Sequence, residues 1–333
     1  MRGSIAVIYN QPQPCRYYQA GEEAAVTGVL DAADAVSTAL QELGYDVQRI
    51  PLTPPIEEAE KQLGKINADI VFNLFEGFGG QPRTEADLAD MLAATGVPFT
   101  GCPAIALRQA LDKAGTNTIL RDKGITTPAS QLLDGRNLAD FRLNFPCIIK
   151  PPAEDASHGL SEKSVVYDMA SLRRQLDDFS RDYGGQALVE EFIAGWEFNV
   201  TVMGGGDDCA ALPITEIAYT LPSGKPNILT YAAKWQPESL YYKNTRVICP
   251  AKITPQLWKQ IERMAAAAFK LLDCRGYARV DMRMDGEGRL YVIEINPNPD
   301  ISPSAGAACQ AKAAGMTYIQ FIQRIVKLTW EQR

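Results

Sequence analysis

Tyr277-Ala278-Arg279-Val280-Asp281-Met282-Arg283 and Val292-Ile293-Glu294-Ile295-Asn296-Pro297-Asn298-Pro299 flank the turn sequence Asp285-Gly286-Glu287-Gly288. Two alternating polar–apolar runs around such a turn predict a β-hairpin. Side chains on a strand alternate between faces, so Arg279, Asp281 and Arg283 share one face of the first strand. Glu294 and Asn296 share one face of the second. Pairing through the turn gathers three oxygen donors: Asp281, Glu294 and Asn296. Two carboxylates and an amide carbonyl suit Mg²⁺, a hard ion that keeps several waters and leans on substrate phosphates. An ordinary amphipathic hairpin with a solvated polar face has the same pattern. The apolar Val280, Met282, Ile293 and Ile295 fit either.

Toward the N-terminus, Phe145-Pro146-Cys147-Ile148-Ile149-Lys150-Pro151 places a lysine at the end of an apolar strand. The polar loop 154–163 follows, with Ala156, Ser157, His158 and Gly159. Small residues there let backbone N–H groups approach a phosphate, while Lys150 adds a point charge. This loop is expected to be a mobile lid that orders over nucleotide and excludes water. Leu188-Val189-Glu190-Glu191-Phe192-Ile193 reads as a sheet edge followed by polar groups. Its backbone can pair with an adenine edge and a carboxylate with ribose hydroxyls. Each piece alone is ordinary; their order along the chain is what is specific.

The first hundred residues alternate strand and helix, with strands at 5–9, 46–50, 70–74 and 97–100 and helices at 30–43, 56–65 and 84–95. That alternation predicts a parallel sheet with helices on its faces and ligands beyond the carboxyl ends of the strands. From about residue 112 the pattern is mixed. Helices are expected at 112–123, 171–183, 255–272 and 318–330. Strands are expected at 147–150, 164–167, 187–192, 197–203 and 209–217, and in the hairpin 278–284/290–295. The fold class is therefore α/β first and α+β after.

Composition narrows the function. The 333 residues are 46% apolar and 22% charged, globular values, and by length alone suit roughly two domains. A net charge of −7 disfavours nucleic acid, whose binding draws on Lys and Arg. No run of 18 apolar residues is present and the opening residues do not read as a signal peptide, so a cytoplasmic chain without a membrane partner is expected. Seven cysteines without a CxxC pair argue against disulfides and zinc. The one histidine, His158, leaves carboxylates, cations, backbone amides and bound metal to carry any chemistry.

The ordered set Gly96-Val97-Pro98-Phe99-Thr100-Gly101, Leu111-Asp112-Lys113, Ile149-Lys150-Pro151, Val189-Glu190-Glu191, Glu197-Phe198, Ala233-Lys234, Ala278-Arg279-Val280-Asp281 and Glu294-Ile295-Asn296 resembles the ATP-grasp superfamily, in its D-alanine–D-alanine ligase branch. The resemblance covers nearly the whole chain. It implies an ATP-grasp fold of three parts: an N-terminal open parallel α/β domain over 1–110, a central subdomain with the phosphate-covering loop over 111–186, and a C-terminal subdomain with the metal site over 187–333. It further implies ATP, two Mg²⁺ ions or Mn²⁺ in their place, small amino-acid-like substrates and a homodimer. The implied reaction is phosphorylation of a carboxylate by ATP, then attack of an amine on the acylphosphate. Residue by residue, Lys113 and Lys150 would hold the phosphates with Lys234 near them, and Ser157 would belong to the phosphate loop. Glu190 and Glu191 would lie by adenine and Glu197 by ribose. Asp281, Glu294 and Asn296 would ligate metal, and Arg279 would stabilise the acylphosphate and tetrahedral intermediate.

Departures from the branch fall on the amino-acid side. Where the ligases carry a Glu–Ser–Tyr trio, this chain has Gly28, Ala156 and Trp235; Asp300 and Ala305 replace a glycine and a serine, and Glu76 replaces a histidine. Asp300 is expected to repel a substrate carboxylate and welcome an amine or guanidinium. With Glu76, His158, Trp235 and Asp300 as candidate substrate contacts, the reading is a carboxylate–amine ligase that is a poor D-alanine–D-alanine ligase. An authentic D-alanine–D-alanine ligase and a nucleotide-binding regulator without ligation are the alternatives. Arg279 speaks against the regulator, since nucleotide binding alone does not need it.

Overall fold

A computed structural model describes residues 3–12, 23–79, 81–152 and 160–331, with the backbone alone for 23–27. The first sheet holds β1 (Ser4–Asn10), β2 (Asp46–Leu52) and β3 (Ile70–Leu74), parallel and in the order β2-β1-β3. Helix α1 (Glu23–Glu42) lies on one face; α2 (Ile56–Leu63) and α3 (Thr84–Thr95) lie on the other. The expected strand at 97–100 is reduced to a single parallel bridge, Val71 to Phe99. Pro98 has no N–H to donate, and Gly101 turns the chain at φ 91°.

Helix α4 (Ala104–Leu111) was not foreseen. It ends at Asp112, whose carboxylate accepts from the Gly115 N–H at 3.0 Å and so caps α5 (Lys113–Asp122). One residue thus terminates one helix, starts the next and fixes Lys113 at its first turn.

The second sheet comprises β4 (Ser130–Leu133), β5 (Cys147–Lys150), β6 (Val165–Val166) and β7 (Ala187–Glu191), in the antiparallel order β4-β7-β5-β6. Helix α6 (Met169–Asp182) covers one face, burying Leu172, Leu176 and Phe179 against Cys147, Ile149, Ala187 and Val189. The strand starting at residue 187 therefore pairs within the second sheet, whereas the division read from sequence opened the C-terminal part there.

The third sheet runs β11-β10-β8-β12-β13. Its strands are β8 (Trp196–Gly205), β9 (Ala210–Ala211, paired to β8), β10 (Thr215–Tyr219), β11 (Thr245–Ile248), β12 (Arg275–Met284) and β13 (Leu290–Asn296). Between β10 and β11 lie the short helices α7 (Tyr231–Trp235) and α8 (Leu240–Lys243). The single strand expected over 209–217 is two, because Pro213 cannot donate to a ladder. Helix α9 (Pro255–Leu271) packs Ile261, Ala265 and Phe269 on Val200, Ala278, Val280 and Met282. Helices α10 (Gly306–Ala313) and α11 (Tyr318–Glu331) return to the first sheet. There Phe321, Ile322 and Ile325 share one core with Val36, Leu40 and Phe72. No helix among the described residues is long and apolar enough to cross a membrane.

Candidate active site

Alternation buries the even-numbered residues of β12 in the α9 core and turns Tyr277, Arg279, Asp281 and Arg283 to the opposite face. On β8, Glu197, Asn199 and Thr201 stand directly opposite Arg283, Asp281 and Arg279. On β13 the register depends on a bulge. Met282 faces Val292 but Asp281 faces Glu294, which leaves Ile293 as the extra residue. In an unbulged hairpin Asp281 would face Ile293, and Glu294 would point into the core. The bulge re-aims it onto the Asp281 face, a use of bulges common beside active sites. The result is a row Asn199–Asp281–Glu294 beside a row Thr201–Arg279–Asn296.

Arg279 grips Asp281 with two prongs, Nε to Oδ1 at 2.7 Å and Nη2 to Oδ2 at 2.8 Å. Asn199 donates to the same Oδ1 at 2.8 Å. Burial opposes the charge of Arg279, but Asp281, with Glu294 and Asp300 nearby, overrides it and keeps the guanidinium protonated. Asn296 Oδ1 accepts from the Asn298 N–H at 2.9 Å, leaving its second lone pair for a ligand. Glu197, 6% exposed, accepts from Tyr219 Oη at 2.8 Å and lies 3.3 Å from Arg283 Nη1.

Lysines from two other elements meet this face. Lys113 Nζ lies 2.5 Å from Glu294 Oε1. Lys150, at the end of β5, lies 2.8 Å from Glu190 Oε2, and Asn117 Nδ2 donates to Glu190 Oε1 at 2.7 Å. Desolvation would raise the Glu294 carboxyl, yet Lys113, Lys150 and Arg279 together hold it well below the usual carboxylate range. Burial and the charge of Arg279 lower the ammonium of Lys234, which also feels Asp281, Glu294 and Glu197. These residues therefore converge on one cleft. Glu190 and Glu191 separate: successive residues of β7 face opposite ways, so Glu190 points into the cleft. Glu191 instead accepts from Asn144 N and Nδ2 at 2.9 and 2.7 Å.

Glu190, 2% exposed, is the counter-charge of Lys150. Glu190→Gln is expected to cost about 3 kcal/mol of stability, because it strands a largely buried ammonium. Urea unfolding measures this, and a loss below about 1 kcal/mol would mean that water already solvates Lys150.

At the mouth, Glu76 follows β3 and Asp300 follows β13. Glu76 is exposed at the cleft mouth, yet desolvation by the surrounding protein, added to the charge of Asp300, raises its carboxyl to about 7. A carboxyl with a raised folded-state value loses stability as pH climbs from its ordinary 4.5 toward 7. Glu76→Gln should therefore gain on the parent in urea midpoint between pH 5 and pH 7.5. An unchanged difference would contradict this environment. Asp300 accepts from Ser302 N and Oγ at 2.8 and 3.0 Å. A Cβ added to Gly28 would stand 3.8 Å from the Trp235 ring, so these two replaced positions meet. Ala156, Ser157 and His158 lie outside the described residues.

Asn199, Asn117 and Arg283 acquire partners that the sequence reading left unassigned. Asn199 was accessible by alternation from Glu197, and Asn117 by the four-residue helical step from Lys113. Asn298 was not: its Nδ2 donates to Phe75 O at 2.9 Å and to Glu85 Oε1 at 2.6 Å, tying the hairpin to the first sheet.

Such a cleft suits a polyphosphate with a hard cation: converging lysines, a fixed guanidinium, two carboxylates and an amide. Asp281 and Glu294 share one face, Glu294 is held ionised, and every donor is oxygen, which is the chemistry Mg²⁺ requires.

Three sheets arranged in this way, with the cleft between the second and third, define an ATP-grasp fold. Solved structures agree: the D-alanine–D-alanine ligase of Bacillus anthracis superimposes with a TM-score of 0.75 at 22% identity, covering 98% of this chain and 97% of that one. A structure of the Bacillus anthracis enzyme complexed with ATP gives 0.74. The VanG D-Ala:D-Ser ligase of Enterococcus faecalis gives 0.73 at 19% identity, over 99% and 100%. The family model for the D-ala D-ala ligase C-terminus matches residues 128–327. D-alanine–D-alanine ligase B of Chromobacterium violaceum is 30% identical over 85% of this chain and 86% of that protein. The uncharacterized protein y4sG of Sinorhizobium fredii is 31% identical over 88% and 86%. The chain belongs to the D-alanine–D-alanine ligase family, ATP-dependent carbon–nitrogen ligases.

Proposed function

We propose that this protein joins a small amino-acid-like carboxylate to an amine, through an acylphosphate, at the cleft of Arg279, Asp281 and Glu294. The observation that carries the reading is the bulge-set pairing of Asp281 with Glu294 beside the Arg279 fork. Lys113 and Lys150 exchange their carboxylate partners for ATP phosphates, with Lys234 and Ser157 beside them. Glu190 and Glu197 line the nucleoside end, where Glu191 contributes backbone. Asp281, Glu294 and Asn296 would hold two Mg²⁺ ions, which would supply positive charge against the negative charge of the transferring phosphate. Arg279, its Nε and Nη2 held by Asp281, then turns its remaining guanidinium N–H groups, Nη1 first, to the oxyanion that forms when the amine attacks, in a fixed plane that a mobile ammonium lacks. Glu76, His158, Trp235 and Asp300 select the substrates. This reading divides the chain at about residue 110 and, since β7 belongs to the second sheet, again just after β7. It takes the enzyme as cytoplasmic, on the composition of the chain, and as a homodimer, on the family resemblance.

The test offers the purified chain with ATP and Mg²⁺ to amino acids singly and in pairs, and measures inorganic phosphate. Release that requires two different substrates supports the reading. D-alanine alone sufficing would make it a D-alanine–D-alanine ligase, and ATP binding without release under any pairing would refute ligation.

A further inference from the structure

Arg283 is 4% exposed, yet it lies on the cleft face of β12 rather than in the α9 core. Its guanidinium touches three segments around the nucleoside end. Nη2 donates to the Asn227 carbonyl at 2.7 Å, in the loop that leads to α7. The group lies over the ring of Phe192, immediately after β7, 4.8 Å from the ring centroid. Nη1 is 3.3 Å from Glu197 Oε2 on the neighbouring strand β8. The carbonyl and the ring restrain the guanidinium plane, so the direction of Nη1 is set before any ligand arrives.

Glu197 is gripped at one oxygen only. Tyr219 Oη donates to Oε2 at 2.8 Å, the same oxygen that meets Arg283. Burial and the charge of Glu197 push the Tyr219 phenol well above its ordinary value, so it remains a donor. Oε1 has no hydrogen-bond partner among the described residues. A carboxylate with one oxygen pinned and the other open is suited to an O–H donor, and a ribose offers two.

Arg283 is also held at a cost. Its Nε is buried with no acceptor among the described residues, and a buried donor left unpaired is unfavourable. Where only packing matters, apolar residues in place of a buried ion pair are often neutral or better. An arginine with an idle N–H therefore points to a task beyond filling space. The task its contacts describe is setting Glu197.

We infer that Arg283 is a positioning residue for the nucleotide: held by Asn227 and Phe192, it pins Glu197 Oε2 and so turns Oε1 to a ribose hydroxyl. The inference rests on the proposed placement of the ribose at Glu197. Arg283 touches no reacting atom; it sets how strongly the site prefers a ribonucleotide to a deoxyribonucleotide.

The experiment is calorimetric titration of the full chain with ATP, 2′-deoxyATP and 3′-deoxyATP, in Mg²⁺ and without a carboxylate substrate. The parent is expected to bind ATP at least about tenfold more tightly than one of the two deoxynucleotides, the scale of one hydrogen bond to a charged acceptor. Glu197→Gln should reduce that preference below about threefold. Arg283→Met should do the same with Glu197 intact, weakening ATP while the deoxynucleotide stays within about twofold of its parental affinity. Arg283→Lys keeps a cation in place should the methionine variant not fold; without the fork it should lower the preference by at least about threefold. Parallel losses for all three nucleotides would make Arg283 merely structural and overturn the inference. A preference that Glu197→Gln removes and the Arg283 variants keep would overturn it too, but would leave the ribose at Glu197. No preference in the parent, or one that Glu197→Gln leaves intact, would place the ribose elsewhere and refute that part of the ligase reading together with the inference.

Discussion

Arg279→Lys lowers turnover by at least about a hundredfold, the scale of losing one preorganised oxyanion donor, while ATP affinity stays within about threefold. The guanidinium makes two bonds to Asp281, which set its plane. A lysine keeps the charge but replaces the fork by a single mobile ammonium. Substrate turnover should therefore fall far more than nucleotide binding, because the role proposed for the lost group is at the reacting carbon rather than at the phosphates. Steady-state phosphate release and ATP calorimetry separate the two. A turnover loss below about tenfold would reduce Arg279 to a clamp on Asp281.

Glu294→Gln removes the charge that meets Lys113 at 2.5 Å and stands opposite Asp281 across the hairpin. Turnover should fall by about a hundredfold or more, and the Mg²⁺ concentration needed for half-maximal rate should rise. Stability carries its own signature. The folded-state value of this carboxyl is held below the ordinary 4.5, so its contribution is present above that pH and fades as pH falls through the lowered value. The gap in unfolding free energy between parent and Glu294→Gln should thus be widest at neutral pH and close in acid. Near-parental turnover at saturating Mg²⁺ would remove Glu294 from the site.

The hairpin was legible because alternation and a Gly-rich turn are local signals. Its register was not. Glu294 reaches the Asp281 face only because Ile293 is bulged out, and nothing in Val292-Ile293-Glu294 announces an extra residue. Glu190 and Glu191 show the converse: adjacent residues on one strand must point opposite ways, so the pair could not both face the cleft. The helix α5 was placed correctly, but the preceding turn was not, since Asp112 ends one helix and caps the next. Lys113 and Glu294 are 181 residues apart, and their contact follows from how the sheets are assembled. The sequence marks both residue types without fixing that they meet.

The central claim is that phosphate passes from ATP to a substrate carboxylate in this cleft. Its most direct measurement uses a carboxylate substrate labelled with ¹⁸O and follows the label by mass spectrometry after one turnover with ATP, Mg²⁺ and an accepting amine. An acylphosphate route predicts ADP as the nucleotide product, with one ¹⁸O from the carboxylate in the released inorganic phosphate and the other in the amide. Label appearing in AMP, or inorganic phosphate released without label, would contradict it.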